Sequence, residues 1–272
     1  MKNLSNRVVL VTGASGGLGE ACAMAFAAEG CDLVLAARRA DELERVATRI
    51  RALGRKALVV TTDVAVESQV QELADKAFAA FGKVDIIICN AGIGWTGPTH
   101  RMDHDDWGKV LGVNLYGVID VIRFFSPPMI ARRDGHIVIM SSAFGLTGIP
   151  FGTLYSTSKA ALIGLGECLR SEMHQHRIGV TTICPGLIES DLIKNTRFKN
   201  VDEKARALSN MIKPMPADMF AHRVVASVRK NKGLVVITLL ANFMWYSKRV
   251  SQRFFELISL LVALMTQKHV ES

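Results

Sequence analysis

Near-continuous apolar runs, separated by stretches of helical pattern, constrain this chain more than any other feature. Arg7–Thr12 (RVVLVT) opens the series. Asp32–Ala37, Lys56–Thr61, Val84–Cys89 (VDIIIC), His136–Met140 (HIVIM) and Gly179–Ile183 (GVTTI) continue it. Each is short, rich in β-branched residues and without polar alternation, so each reads as a strand covered on both faces. Gly17–Glu29, Asp41–Leu53, Glu67–Phe81 and Leu154–Gln175 read as helices. Strands alternating with helices predict a parallel sheet with right-handed crossovers, a doubly wound α/β fold. Leu234–Thr238 offers a seventh strand. The expected organisation is one such unit over 1–238, with a substrate flap at about 186–213, followed by an amphipathic helical extension over 239–272.

Hydrophobic residues make up 49% of the 272 and charged residues 21%, which excludes general disorder and suffices for one large core. The five cysteines, Cys22, Cys31, Cys89, Cys168 and Cys184, are scattered without a Cys-x-x-Cys pair. That pattern predicts no disulfide framework and a reducing, cytoplasmic setting, and no secretory-signal pattern opens the chain. The histidines show no metal-ligand spacing, so no metal is expected. A formal charge of +8 suits a solvated surface, anionic ligands or anionic lipid headgroups. No basic stripe interleaved with aromatics suggests nucleic acid.

Directly after the first strand, Thr12-Gly13-Ala14-Ser15-Gly16-Gly17-Leu18-Gly19 opens into the first helix. Glycines permit a tight turn and close approach of backbone amides to a pyrophosphate, and the helix N-terminus adds a favourable partial charge. This placement points to a Rossmann-type dinucleotide site, with Gly13, Ser15, Gly16, Gly17, Leu18 and Gly19 as its cradle. The spacing is Gly-x-x-x-Gly-x-Gly rather than Gly-x-Gly-x-x-Gly. At the end of the second strand, where an NAD site commonly places a carboxylate, the chain reads Ala36-Ala37-Arg38-Arg39. Guanidinium groups there would pair with a 2′-phosphate, which favours NADP(H). Arg38, nearer the strand end, is the better placed, with Arg39 beside it.

Tyr155 and Lys159 stand four apart and share one face of the predicted helix. A phenol of pKa about 10 is a poor base, and a neighbouring ammonium or an oxidised nicotinamide would lower that value. Ser142 follows the fifth strand, where its hydroxyl could bind a substrate oxygen. Asn114 lies in the helical stretch after the fourth strand and could hold a water that relays protons through Lys159.

Thr12-Gly13-x-x-x-Gly17-x-Gly19, Asp63-Val64, Asn90-Ala91-Gly92, Asn114, Ser142, Tyr155-x-x-x-Lys159 and Pro185-Gly186 occur in order across residues 5–190. In these the chain resembles the short-chain dehydrogenase/reductase family. The resemblance implies an Asn114–Ser142–Tyr155–Lys159 tetrad, with Lys159 also contacting the nicotinamide ribose. It implies that Asp63 and Val64 meet the adenine, and that Asn90, Ala91, Gly92, Pro185, Gly186 and Ile188 border the cofactor. Ser190 stands where the family usually has threonine and would retain its bond to the carboxamide. Cys89 replaces the first asparagine of Asn-Asn-Ala-Gly. The activity implied is hydride transfer between NADP(H) and an alcohol or carbonyl carbon. A noncatalytic NADP-binding sensor or scaffold, and an isomerase, are the alternatives.

The flap mixes Leu187, Ile188, Leu192 and Ile193 with Lys194, Arg197 and Lys199. With Ile93, Trp95, Phe144, Leu146, Ile149 and Phe151 it predicts an apolar pocket for a bulky, lipid-like substrate. In the extension, Leu239–Ser247 and Leu257–Thr266 are apolar and divided by Lys248, Arg249, Arg253 and Glu256. Its longest uncharged run, Gly233–Ser247, falls short of the roughly 20 residues a spanning helix needs. The extension is expected either to pack in a homodimer or homotetramer or to lie on a membrane surface.

Overall fold

The computed structural model describes residues 2–190, 196–198 and 213–267. In chain order the first half runs β1 (Val8–Thr12), α1 (Gly17–Ala28), β2 (Asp32–Ala37), α2 (Ala40–Ala52), β3 (Ala57–Thr61), α3 (Glu67–Phe81), β4 (Ile86–Cys89) and β5 (Trp95–Thr96). Then come α4 (His104–Leu111), a π-turn over Gly112–Tyr116, α5 (Gly117–Arg132), β6 (Gly135–Met140), α6 (Ala143–Leu146) and α7 (Thr153–His174). The rest comprises β7 (Ile178–Pro185), β8 (Arg197–Phe198), α8 (Ala217–Arg229), β9 (Leu234–Ile237), α9 (Leu239–Val250) and α10 (Gln252–Gln267).

Seven strands form one parallel sheet in the order β3-β2-β1-β4-β6-β7-β9. This is the doubly wound, Rossmann-type sheet that the apolar runs predict. The strands β1, β4, β6 and β7 are buried along their whole length, because helices cover both faces. One core joins α1, α2 and α8 to the sheet around Phe26, Ile50 and Phe220. The opposite core joins α3, α5 and α7 around Leu73, Phe125 and Leu162. The helical run 104–132 is long and apolar enough to cross a membrane by composition. Its packing against α3, β4 and β6 makes it a core element instead.

Two features have no counterpart in the sequence reading. Helix α8 buries Phe220, Ala221, Val224, Val225 and Val228, a helical spacing, against α1. Strands β5 and β8 pair in parallel through Trp95↔Arg197 and Thr96↔Phe198, so part of the expected flap is stitched to the loop after β4.

The start of β1 is pinned by a carboxylate. Asp85 is fully buried, accepts the Val8 backbone N–H at 2.9 Å, and takes Arg7 at 3.2 Å and Lys83 at 3.0 Å. Asp85→Ala would leave that amide unsatisfied, while the part-exposed cations regain water. The expected loss is about 2 kcal/mol in denaturant unfolding, and Asp85→Asn, which keeps an acceptor, should recover part of it.

Candidate active site

The strand order reverses between β1 and β4, and in such sheets ligands bind outside the carboxyl ends of the strands at that point. Gly13 leaves β1 at φ +67, where a Cβ would stand 2.8 Å from Asn90 Nδ2 and 3.0 Å from Ala91 Cα. A side chain is excluded there by both conformation and space. Thr12 Oγ1 accepts from the backbone N–H of Asn90 at 3.0 Å and of Ala91 at 3.1 Å. Asn90 Nδ2 donates to the Thr12 carbonyl at 2.9 Å. Thr12 and Asn90 therefore clasp the two strand ends together. Helix α1 starts at Gly17 on an extended Gly16, with no side-chain cap. Its leading amides are left without a side-chain acceptor, which suits an anion.

Beyond β2, Arg39 turns back to this cradle, its Nη2 donating to Ser15 Oγ at 3.1 Å and to the Ser15 carbonyl at 3.3 Å. Arg38 is exposed. The two guanidines thus differ in an unexpected sense, because it is Arg39 that reaches the glycine-rich turn. Asp63 follows β3 and accepts the Ala65 N–H at 3.0 Å, and Val64 is buried against the start of α5.

On the other side of the crevice, Ser142 caps the N-terminus of α6, its Oγ accepting from the Phe144 N–H at 3.2 Å. The same hydroxyl acts on Tyr155, half-buried in the first turn of α7, in the sense that favours its ionised form. Lys159, one turn further, is 4% exposed and donates to the Met140 carbonyl at the end of β6 at 2.8 Å. Its Nζ lies 5.8 Å from the Tyr155 ring centre. Asn114 sits in the π-turn that interrupts the helix between α4 and α5, a distortion often found at functional positions. Its Oδ1 accepts the Ile93 N–H at 2.8 Å. Its Nδ2 donates to the Ile93 carbonyl and to Ser158 Oγ, each at 3.0 Å. Both amide protons are committed, and one lone pair of Oδ1 remains. Gly92 joins the group: a Cβ there would stand 3.3 Å from Asn114 Oδ1 and 3.4 Å from Lys159 Nζ.

The electrostatics run against the simplest reading of the Tyr–Lys pair. Burial pushes the Tyr155 phenol up to about 12, outweighing the lowering by Ser142. Burial also pulls the Lys159 ammonium down to about 8. In the chain alone, then, the cation does not acidify the phenol. The phenol stays protonated, and the ammonium is a stronger acid than an ordinary lysine while still charged near pH 7.

A family model described as short chain dehydrogenase matches residues 7–200. The chain belongs to the short-chain dehydrogenase family. An uncharacterised oxidoreductase of Listeria innocua is 37% identical over 202 residues, 74% of this chain and 82% of the relative. Dehydrogenase/reductase SDR family member 7B of Mus musculus is 35% identical over 239 residues, 86% of this chain and 74% of the relative. A short-chain dehydrogenase/reductase from Burkholderia phymatum, solved with NAD, superposes with a TM-score of 0.82 at 29% identity, over 87% of this chain and 90% of that one. An alcohol dehydrogenase from Thermococcus sibiricus, solved with 5-hydroxy-NADP, gives 0.74 at 25% identity, over 86% and 96%.

In this short-chain dehydrogenase the outer wall of the site is only partly as expected. Trp95 is buried with Val110 and Leu154, and Ile93 packs on that cluster, so these two underlie the site rather than line it. Phe144 is exposed, and Leu146, Ile149 and Phe151 are half-buried beside it in sequence. Pro185 ends β7, the Gly186 N–H donates to the Ile237 carbonyl at 2.8 Å, and Ile188 is buried and bridges to Met215. Ser190 is half-buried. Leu192, Ile193, Lys194 and Lys199 lie outside the described residues. The sequence reading missed two supporting hydroxyls. Ser141 Oγ donates to the Lys159 carbonyl at 2.7 Å, and Ser158 Oγ donates to the Tyr155 carbonyl at 2.7 Å while receiving Asn114. The Ser141-Ser142 and Ser158-Lys159 pairings were the available signal.

Lys159 has a consequence for stability. Its folded value lies below the ordinary 10.5, so between about 8 and 10.5 the unfolded chain holds a proton that the folded chain does not. Stability conferred by this residue therefore rises with pH across that window. The unfolding free energy of wild type minus that of Lys159→Met should increase there by up to about 1.4 kcal/mol per pH unit. Paired denaturant titrations at several pH values measure it, and a difference flat in pH contradicts the buried-ammonium assignment.

Proposed function

We propose that this short-chain dehydrogenase is an NADP(H)-dependent oxidoreductase interconverting a secondary alcohol and its ketone, or an aldehyde, on a hydrophobic, lipid-like molecule. Tyr155 is its general acid–base. The observation that carries this reading is that Lys159 stands beside Asn114 at Gly92 and 5.8 Å from the Tyr155 ring, on which Ser142 also acts, beyond the carboxyl ends of β4 and β6. A binding protein has no use for a buried ammonium set one helical turn from a phenol.

The residues present fit a dinucleotide. The leading amides of α1 suit its phosphates, and Gly13, where a Cβ would stand 2.8 Å from Asn90 Nδ2, keeps the turn before them bare for close approach. Arg39, held over Ser15, with Arg38 exposed beside it, suits a 2′-phosphate. No acid follows β2 before Asp41. The Burkholderia relative was solved with NAD and the Thermococcus one with an NADP derivative, so the family accommodates both and the guanidines are the basis for choosing. Asp63, Val64, Asn90, Ala91, Pro185, Ile188 and Ser190 complete the proposed cofactor contacts.

Bound there, a nicotinamide dinucleotide supplies or accepts the hydride and, when oxidised, adds a positive charge. The chain's own residues handle the oxygen. Ser142 and Tyr155 donate hydrogen bonds to the substrate carbonyl, and Tyr155 releases its proton as that oxygen gains charge. With the phenol pushed up to about 12, Tyr155 stays protonated in the ligand-free chain and holds the proton that the developing alkoxide takes. Lys159, poised near 8, can return a proton, and the free lone pair on Asn114 Oδ1 offers a place for a relaying water. Phe144, Leu146, Ile149 and Phe151 would meet the apolar body of the substrate.

Two measurements test this. Tyr155→Phe should lower kcat at least 10³-fold in an NADPH-coupled screen of hydrophobic ketones and aldehydes, with NADPH affinity within a few-fold of wild type. Turnover close to wild type refutes the assignment. Arg38→Ala with Arg39→Ala should reduce the preference for NADPH over NADH by roughly 10²-fold, the scale of losing a charge-assisted pair. The Arg39 change should account for the larger part, and an unaltered ratio refutes NADP selection by these guanidines.

A further inference from the structure

The C-terminal helix pair carries an apolar surface that nothing among the described residues covers. On α9, Leu239, Phe243, Tyr246 and Val250 are exposed, Leu239 at 91% and Val250 at 86%. Their i, i+4, i+7, i+11 spacing makes one stripe along the helix. On α10, Leu257, Leu261 and Leu264 repeat the arrangement and are also exposed. The inner sides of the same helices are occupied: Ala241 and Phe255 are buried, and α9 packs on β9 and α6. The stripe is therefore a second apolar face beyond the one that anchors the pair.

The charges beside the stripe indicate what covers it. Between 239 and 267 the sequence holds Lys248, Arg249 and Arg253 against the lone acid Glu256. Arg249 and Arg253 are exposed, Arg249 lying over the Trp245 ring at 5.1 Å, and Gln252 occupies Glu256 at 3.1 Å. A twofold contact between copies through this face would set a cation-rich rim against its own duplicate. An anionic headgroup layer neutralises it, and the chain as a whole carries +8. Exposed leucine, phenylalanine and tyrosine beside cations are the composition of a helix lying in the interface plane. Neither helix is long enough to span, α10 having 16 residues against the roughly 20 required.

We infer that the α9–α10 pair seats the protein on an anionic phospholipid surface. Lys248 connects this seat to the candidate site. Its Nζ donates at 2.9 Å to the carbonyl of Leu146, the last residue of α6, whose first turn is capped by Ser142. The seat thereby holds the apolar mouth formed by Phe144 and Leu146 close to the lipid, where a lipid-like substrate is dissolved. That supply role rests on the oxidoreductase reading, whereas the docking does not, and vesicle flotation needs no turnover to report it.

The experiment is flotation of the full chain with vesicles of phosphatidylcholine alone and of phosphatidylcholine with phosphatidylglycerol. It compares wild type, Phe243→Ser/Leu257→Ser and Arg249→Gln/Arg253→Gln, with sedimentation equilibrium and circular dichroism on each. These side chains are exposed, so the variants should fold as wild type does. Wild type should float with the anionic vesicles. The apolar variant should lose at least tenfold in vesicle affinity, and the arginine variant should bind weakly and with reduced salt dependence. Equal flotation of wild type and both variants overturns the proposal. So does absent flotation accompanied by an oligomer that the apolar variant dissociates, which would assign the face to a second copy.

Discussion

The site is organised around an amine taken out of water with no carboxylate paired to it among the described residues. Lys159 is almost fully buried, and its bond at Nζ is to the Met140 carbonyl. Burying an unpaired ammonium is costly, and the cost appears as a value drawn down to about 8. Much of the neighbouring structure holds this amine in place. Ser141 ties the Lys159 backbone to the end of β6, and Gly145 lets α6 lie so near α7 that a Cβ there would come within 2.7 Å of the Lys159 carbonyl. Ser158 links α7 to Asn114, and Asn114 in turn fixes the loop at Ile93 through two backbone bonds. Strands β4 and β6 and helix α7 thus meet at one charged atom.

The same burial acts on Tyr155 in the opposite sense, because desolvation favours the neutral form of each group. The phenol is held protonated and the amine is brought towards neutrality. Each is displaced away from a phenolate–ammonium pair, and none of the described residues supplies the extra positive charge that would reverse that. In the ligand-free chain the phenol therefore stays protonated well above neutral pH.

The parallel sheet and its seven strands were legible because strands buried on both faces leave uninterrupted apolar runs, whereas their spatial order was not. Their ends were less so, since Ile178 and Pro185 continue a strand whose apolar core alone marks it. Helix α8 has regular apolar spacing at Phe220, Val224 and Val228 but no capping side chain that sets it apart from the mixed segment before it. At the candidate site, residue type and spacing pointed to Ser142, Tyr155, Lys159 and Asn114. They could not reveal that Asn114 spends three hydrogen bonds on Ile93 and Ser158, nor that Arg39 rather than Arg38 folds back on Ser15. Those depend on a π-turn and on the direction in which α2 leaves the sheet. The tie from Lys248 to Leu146 joins positions 102 apart in sequence and has no local signature.

The central claim is that burial keeps the Tyr155 phenol protonated until a cationic ring lies beside it. The most direct test is a near-ultraviolet difference titration of wild type against Tyr155→Phe, with and without saturating NADP⁺. The account predicts no phenolate from Tyr155 up to the ordinary tyrosine value of about 10 in the ligand-free protein, and a clear phenolate signal well below it once NADP⁺ is bound. A phenolate near neutrality in the ligand-free protein, or a titration unmoved by NADP⁺, contradicts it.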